Sequence, residues 1–205
     1  MVMTISYLNP SLVCIKNCAF ELQSPILRFQ RLTSLCFHNV SISKTMLIYI
    51  ISCCPILKSF TLFGMIKNVH IEDEKHFRGS EYSVLARLFQ LLPLIEHLEM
   101  NCCAVKMNYN PTEAISQTAM NLFDLQDYPY LINLDHLVEL EITNFSNMKP
   151  GMDFLKLMLA KSSMLEKVRV VINNKISVDD EVKMLRDLLW NPRGSAGAQI
   201  KFERS

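Results

Sequence analysis

The side chains that could do chemistry in this chain are seven cysteines, five histidines and twenty carboxylates. A thiol beside an imidazole makes a nucleophile with its base. Cys36 with His38 or His97 is the combination folding could assemble. Zinc sites announce themselves by ligand spacing, chiefly C-x-x-C. Here Cys14 and Cys18 are four apart, while Cys53–Cys54 and Cys102–Cys103 are adjacent pairs. His38, His70, His76, His97 and His136 are scattered. Ordinary buried or surface thiols explain this pattern better than a metal centre, and neither a metal nor a cofactor is expected. No G-x-S-x-G, P-loop, G-x-G-x-x-G or H-E-x-x-H occurs. Arg193 with Ser195 could hold a phosphate, but an arginine positioning the turn after a helix is the simpler reading.

A second group of side chains is charged: Glu99, Glu139 and Glu141, with Lys167 and Arg169. These gain meaning from the strands that would carry them. Apolar residues recur in LTSLCFHNV (Leu32, Leu35, Phe37, Val40), LKSFTLFGM (Leu57, Phe60, Leu62, Met65), IEHLEMNCC (Ile95, Leu98, Met100, Cys103) and LVELEITNF (Leu137, Leu140, Ile142, Phe145). All four read L-x-x-L-x-L-x-x-Φ, where Φ is apolar. Weaker copies lie at Pro10, Val13, Ile15, Cys18 and at Leu165, Val168, Val170, Asn173. The central L-x-L has period 2, so it predicts a short strand with one buried face. The second apolar position falls at 13, 35, 60, 98, 140 and 168, giving separations of 22, 25, 38, 42 and 28. Leucine-rich repeats run about 20 to 29 residues, so the two long separations must hold insertions or a degenerate repeat.

Helical pieces fall between the strands. One is predicted over 44–53, stopped by Pro55, and another over 79–92, with Ser80 as N-cap and Pro93 as the stop. Strand, turn, helix, turn is a unit that cannot cover its own apolar face, so such units stack. In each strand the x side chains point away from the core. They are Cys36 flanked by Ser34 and His38, Thr61 flanked by Ser59 and Phe63, Glu99 flanked by His97 and Asn101, Glu141 flanked by Glu139 and Thr143, and Arg169 with Lys167. Together they form the expected partner-binding face, and its mixed charge suits a polar protein partner.

Composition bounds these readings. The chain has 205 residues and is 50% hydrophobic; a chain this long buries roughly 70% of its unfolded surface. Lys and Arg total 21 against 20 Asp and Glu, a formal charge of +1. That excludes a strongly basic nucleic-acid binder, and no nucleic-acid partner is expected. Only 5 glycines are present, which argues against a phosphate-binding loop. The first residues lack a basic stretch followed by an unbroken apolar one. The longest apolar run, 46–57, is broken by Ser52 and Pro55 and falls short of the roughly 20 residues that span a bilayer. The expectation is an intracellular protein of the cytoplasm or nucleus with no membrane contact. Its cysteines would stay reduced and pack as small hydrophobes.

Two segments resemble one family. FHNVSI…LIYIISCCPILKSFTL resembles the degenerate leucine-rich repeats of plant F-box proteins, where Cys54, Pro55, Ile56 and Leu57 form the turn before a strand. LVELEITNFSNMKPGMDFLKLMLAKSSMLEKVRVVINN…EVKMLRDLLWNPRGSAGAQIKF resembles the FBD segment that closes F-box/FBD/LRR-repeat proteins, with Pro192, Arg193, Ser195, Ala198, Ile200 and Phe202 in register. Gly194 and Gly197 depart from that pattern and would loosen the last turn. The resemblance implies an α/β leucine-rich-repeat-like solenoid with a parallel sheet and helices on its convex side, closed by a C-terminal FBD βαβ cap. Residues 1–135 would be the repeat region and 136–205 the FBD domain. It implies a non-enzymatic module that binds a protein partner or ubiquitination substrate, like the substrate-reading half of a ubiquitin-ligase receptor. The family's N-terminal F-box, which binds the Skp1 adaptor, has no counterpart before Met1. Skp1 binding is therefore not expected, and the chain reads as a fragment, a truncated product or an F-box-less paralogue. Two other readings stay open: a small intracellular enzyme with a thiol or acid–base site, and a structural fragment without independent function.

The last sixty residues carry local signals of their own. Phe154, Leu155, Met158 and Leu159 share one face of a helix over 152–161. Ser177 caps a second helix with Asp180 at the capping-box position. Val182, Leu185, Leu188 and Leu189 are its expected buried stripe, and residues 199–203 alternate as a final strand beside 168–172. Residues 146–205 hold 11 basic and 7 acidic side chains, whereas 1–145 hold 10 and 13.

Overall fold

A single hydrogen-bond pattern recurs at the start of the repeated strands. The computed structural model describes residues 4–9, 11–17, 19–20, 29–67, 88–101, 134–146 and 149–205. The first apolar residue of the motif donates its N–H to the carbonyl three residues earlier: Leu32 to Phe29, Leu57 to Cys54, Ile95 to Leu92 and Leu137 to Leu134. The next two residues donate together to one carbonyl of the preceding copy. Thr33 and Ser34 bond to Ser11, Lys58 and Ser59 to Thr33, Glu96 and His97 to Lys58, Val138 and Glu139 to Glu96, and Glu166 and Lys167 to Val138. Each acceptor occupies the same motif position, so every copy enters its strand at the same height on its neighbour.

The strands that follow are β1 (Thr4–Asn9), β2 (Leu12–Lys16), β3 (Ala19–Phe20), β4 (Ser34–Ser43), β5 (Ser59–Lys67), β6 (His97–Asn101), β7 (Glu139–Phe145), β8 (Lys167–Ile172) and β9 (Gln199–Arg204). Three described helices join them: α1 (Lys44–Ser52), α2 (Lys149–Lys161) and α3 (Val178–Leu189). The sheet order is β1-β2-β4-β5-β6-β7-β8-β9, with β3 beside β4. From β2 to β9 the pairing is parallel; β1 closes one edge antiparallel. Among the described residues no helix is long and apolar enough to cross a membrane.

The register aligns the predicted spine. Val13 pairs with Leu35, Leu35 with Phe60, Phe60 with Leu98, Leu98 with Leu140, Leu140 with Val168, and Val168 with Ile200. Leu35, Phe60, Leu98, Leu140 and Val168 are all buried, as is the next inward row, Phe37, Leu62, Met100, Ile142 and Val170. The same core takes Leu47, Ile50 and Ile51 from α1, Leu155, Met158 and Leu159 from α2, and Met184 and Leu188 from α3. Phe37 meets Phe60 edge-on at 6.1 Å between ring centres, and Phe89 stacks on Phe154 of α2 at 6.2 Å. The helices thus cover one face of the sheet. Parallel sheets usually bury both faces and read as continuous apolar runs; here the strict alternation leaves the other face polar.

Asparagine sets where the strands bend. Asn17, Asn39 and Asn144 hold positive φ of 53°, 54° and 53°, and each is the eighth residue of its motif. The left-handed region suits Asn better than most side chains. The extra residue makes a bulge: pairing shifts between His38 and Val40 and between Ile142 and Phe145. As a result Val40 lies opposite Gly64 rather than Met65, and Phe145 opposite Ile172 rather than Asn173. Asn173 instead donates its side-chain amide to Asn144 Oδ1 and its backbone N–H to the Phe145 carbonyl.

Two expectations need correction. Helix α3 does begin at Ser177, whose Oγ accepts from the Asp180 N–H at 3.1 Å and donates to the Asp180 carboxylate at 2.7 Å. Its buried face, however, is Met184 and Leu188, with Leu185 half-buried. Val182 and Leu189 are 48% and 70% exposed. The helix carries apolar residues on two sides, and the inner side is the one on which Glu181 reaches Arg204 of β9. Nor is the last turn loosened at Gly194. Its N–H donates to the Leu159 carbonyl at 2.8 Å, and a Cβ there would lie 2.8 Å from the Ala160 carbonyl oxygen. Glycine lets this turn close onto the end of α2. Around Gly197 the space is open. The helix expected over 79–92 falls largely outside the described residues, as do both long insertions.

Candidate functional site

The outward side chains form rows across the polar face. Parallel pairing in a common register stacks Ser34, Ser59, His97, Glu139, Lys167 and Gln199 in one row, and Cys14, Cys36, Thr61, Glu99, Glu141, Arg169 and Lys201 in the next. All fourteen residues expected on the partner-binding face lie on β4 to β8. His38, His97, Lys167 and Arg169 are exposed, while Ser34, Cys36, Thr61, Glu99, Asn101, Glu139, Glu141 and Thr143 are half-buried.

Charges of opposite sign meet along these rows. Lys167 Nζ donates to Glu139 Oε1 at 2.7 Å, and His97 Nδ1 sits 3.1 Å from Glu139 Oε2. Arg169 bridges two strands: NH1 reaches Glu141 at 2.5 Å, while Nε and NH2 reach Glu203 Oε2 at 3.0 and 2.8 Å. Lys201 meets Glu203 at 2.5 Å, and Lys58 meets Glu96 at 2.7 Å at the strand entrances. The hydrogen bond from Lys167 holds the Glu139 carboxyl below its ordinary value; Lys201 and Arg169 do the same to Glu203.

Glu99 differs. Its carboxylate accepts from Thr61 Oγ1 at 3.2 Å, and no cation pairs with it among the described residues. Burial, and then the neighbouring Glu141, push its carboxyl up from the ordinary value. It lines an open hollow of about 270 Å³ together with Thr61, His97, Glu139, Glu141 and Arg169. A half-buried carboxylate in such a hollow is a ready acceptor for a guanidinium or ammonium group, which would restore the charge partner it lacks.

Cys36 and His97 do not come together. Cys36 lies on β4 and His97 on β6, with β5 between them, and Cys36 does not line the hollow. His38 packs against Phe63 at a tilt of 32°, with ring centres 5.7 Å apart. Burial, reinforced by Cys14 on the adjacent strand, pushes the Cys36 thiol up to about 12. A thiol so raised is a poor nucleophile near neutral pH. Of the described cysteines only Cys54 packs as a buried hydrophobe; Cys14, Cys36 and Cys53 are half-buried. Their positions on the polar face or at a helix end explain the difference. Cys18, Cys102, Cys103, His70 and His76 lie outside the described residues. Among the described residues no three His, Cys, Asp or Glu side chains converge as a metal site.

Four members of the face were missed in the sequence: Cys14, Gln199, Lys201 and Glu203. Extending the row outward from Cys36 and Arg169 by one strand each would have found them, because V-C-I in β2 and I-K-F-E in β9 alternate as the central strands do. Comparison of the chain with family models, with curated proteins and with solved structures gives no match.

Proposed function

We propose that the polar face is a docking surface for another protein and that the chain is a non-enzymatic interaction module. In this reading the strands are turns of a leucine-rich-repeat-like solenoid, and the β8–α3–β9 unit is its FBD-like cap. The module would serve as the substrate-reading half of a plant F-box/LRR type of ubiquitin-ligase receptor. One observation carries the proposal above the rest. Seven parallel strands present a polar face that no described helix covers, with charges of both signs gathered on β6 to β9 and with Glu99, which no described cation pairs, lining its hollow. A helix-flanked parallel sheet has no structural need for such a face. Stacked repeats do, since they bind along their open strands.

The preferred partner presents a basic side chain to Glu99 and Glu141 and acidic or polar groups to Lys167 and Lys201. Such complementarity sets the rate and selectivity of docking more than its raw strength. The test is crosslinking with partner identification, comparing the natural chain with the double variant Glu139→Lys, Glu141→Lys. Crosslinks from this face to a specific protein, lost in the variant, are expected. An identical set of crosslinked proteins from both chains would refute the proposal.

A further inference from the structure

Helix α3 has an outer apolar stripe as well as an inner one. Val178, Val182, Leu185 and Leu189 stand at i, i+4, i+7 and i+11 and fall within about 60° on a 3.6-residue helix. Val178 is 64% exposed, Val182 48% and Leu189 70%. Trp190, at the C-cap, is 85% exposed. Alternating steps of four and three are the spacing of a seam between two helices crossing at a shallow angle. An isolated exposed leucine needs no explanation, but a whole seam does.

We infer that this seam pairs with the same seam of a second copy of the chain, in an antiparallel two-fold arrangement. The charges beside the stripe select this occupant. Asp179 and Arg186 are both exposed and lie seven residues apart on one flank. In an antiparallel pair, equivalent flank positions face each other with their order reversed. Val178 then lies opposite the second copy's Leu189, and Val182 opposite its Leu185. Asp179 meets the second copy's Arg186, and the symmetry repeats that contact, so both ion pairs form at once. The helix dipoles also lie side by side in opposite directions, so that the N-terminal end of each helix, with its acidic first turn of Asp179, Asp180 and Glu181, adjoins the C-terminal end of the other.

One helix a side is small beside the roughly 1,600 Å² of a standard interface, so the dimer is a weak one, half formed at tens of micromolar on the order of magnitude. Sedimentation equilibrium on the full chain across ~1–300 µM spans that range. The mass should climb from 23.6 kDa towards twice that value. Because Trp190 is the only tryptophan, its emission should shift to the blue over the same range. Leu189→Glu should stay monomeric throughout with an unchanged melting curve. Asp179→Arg and Arg186→Asp should each weaken association about tenfold, and the double exchange should restore it. Three results would overturn the inference: a monomer at every concentration, which would leave the seam to a different partner; association that survives Leu189→Glu; or a double exchange no tighter than the single ones.

Discussion

Replacing Leu140 and its chain neighbour Glu141 with alanine, one at a time, separates the two faces of the sheet by energy. Leu140 is 1% exposed and sits between Leu98 and Val168 in the buried row. Truncation removes its contacts with both neighbouring strands and leaves a cavity in the core, at a cost of about 3 kcal/mol within the range for buried leucines. Glu141 loses one Arg169 contact between side chains 29% and 48% exposed, worth under about 1 kcal/mol. Removing its charge also relieves repulsion on Glu99, which offsets part of that loss. Urea unfolding followed by circular dichroism reads both. With a slope of roughly 2–3 kcal/mol per molar for a chain of this size, Leu140→Ala should lower the midpoint by about 1 M and Glu141→Ala by no more than about 0.3 M. Equal shifts, or a larger one for Glu141→Ala, would refute the assignment of faces.

Glu99→Gln should raise the melting temperature at pH 7. The folded-state carboxyl is raised, so ionising it costs stability as pH climbs through that value, and the advantage of the amide should vanish below the ordinary glutamate range. A variant less stable than the natural chain at pH 7 would contradict this. Gly194→Ala should lower the melting temperature by about 4–8 °C, the equivalent of about 2 kcal/mol of overpacking against the end of α2. Gly197→Ala, where a Cβ meets nothing within 4 Å, should leave it within about 2 °C, a calorimetric comparison that fails if the two variants behave alike.

The spine and its outward rows were legible in the sequence because period-2 alternation fixes a side chain's face once the register is known. Four copies of one nine-residue pattern fixed the register between strands as well. The bulges were not legible from apolar spacing. They depend on Asn39 and Asn144 adopting a left-handed conformation, a backbone property that the apolar pattern does not record. As a consequence the ninth-position pins, Met65 and Asn173, are displaced by one residue. The α3 orientation was misread for a different reason. Its sequence offers two overlapping apolar stripes, and only the contact of Glu181 with Arg204 across to β9 distinguishes the inner one. Gly194 was read as a loose point because a departure from a family pattern suggests lost contacts, whereas here the missing Cβ makes room for the Ala160 carbonyl. The charged rows were found without β2, whose copy of the motif is weak, and without β9, which carries no copy of it.

Along the sheet from β4 to β9, spatial order is chain order. Each linking segment therefore has one duty, to deliver the chain to the adjacent position, whatever its length. Closing a loop of 42 residues instead of 22 costs only about 0.6 kcal/mol more. Insertions between strands can grow or shrink at small thermodynamic expense while the strand entrances, held by their shared carbonyls, keep their spacing. The width of the sheet is thereby uncoupled from the amount of polypeptide used to build it.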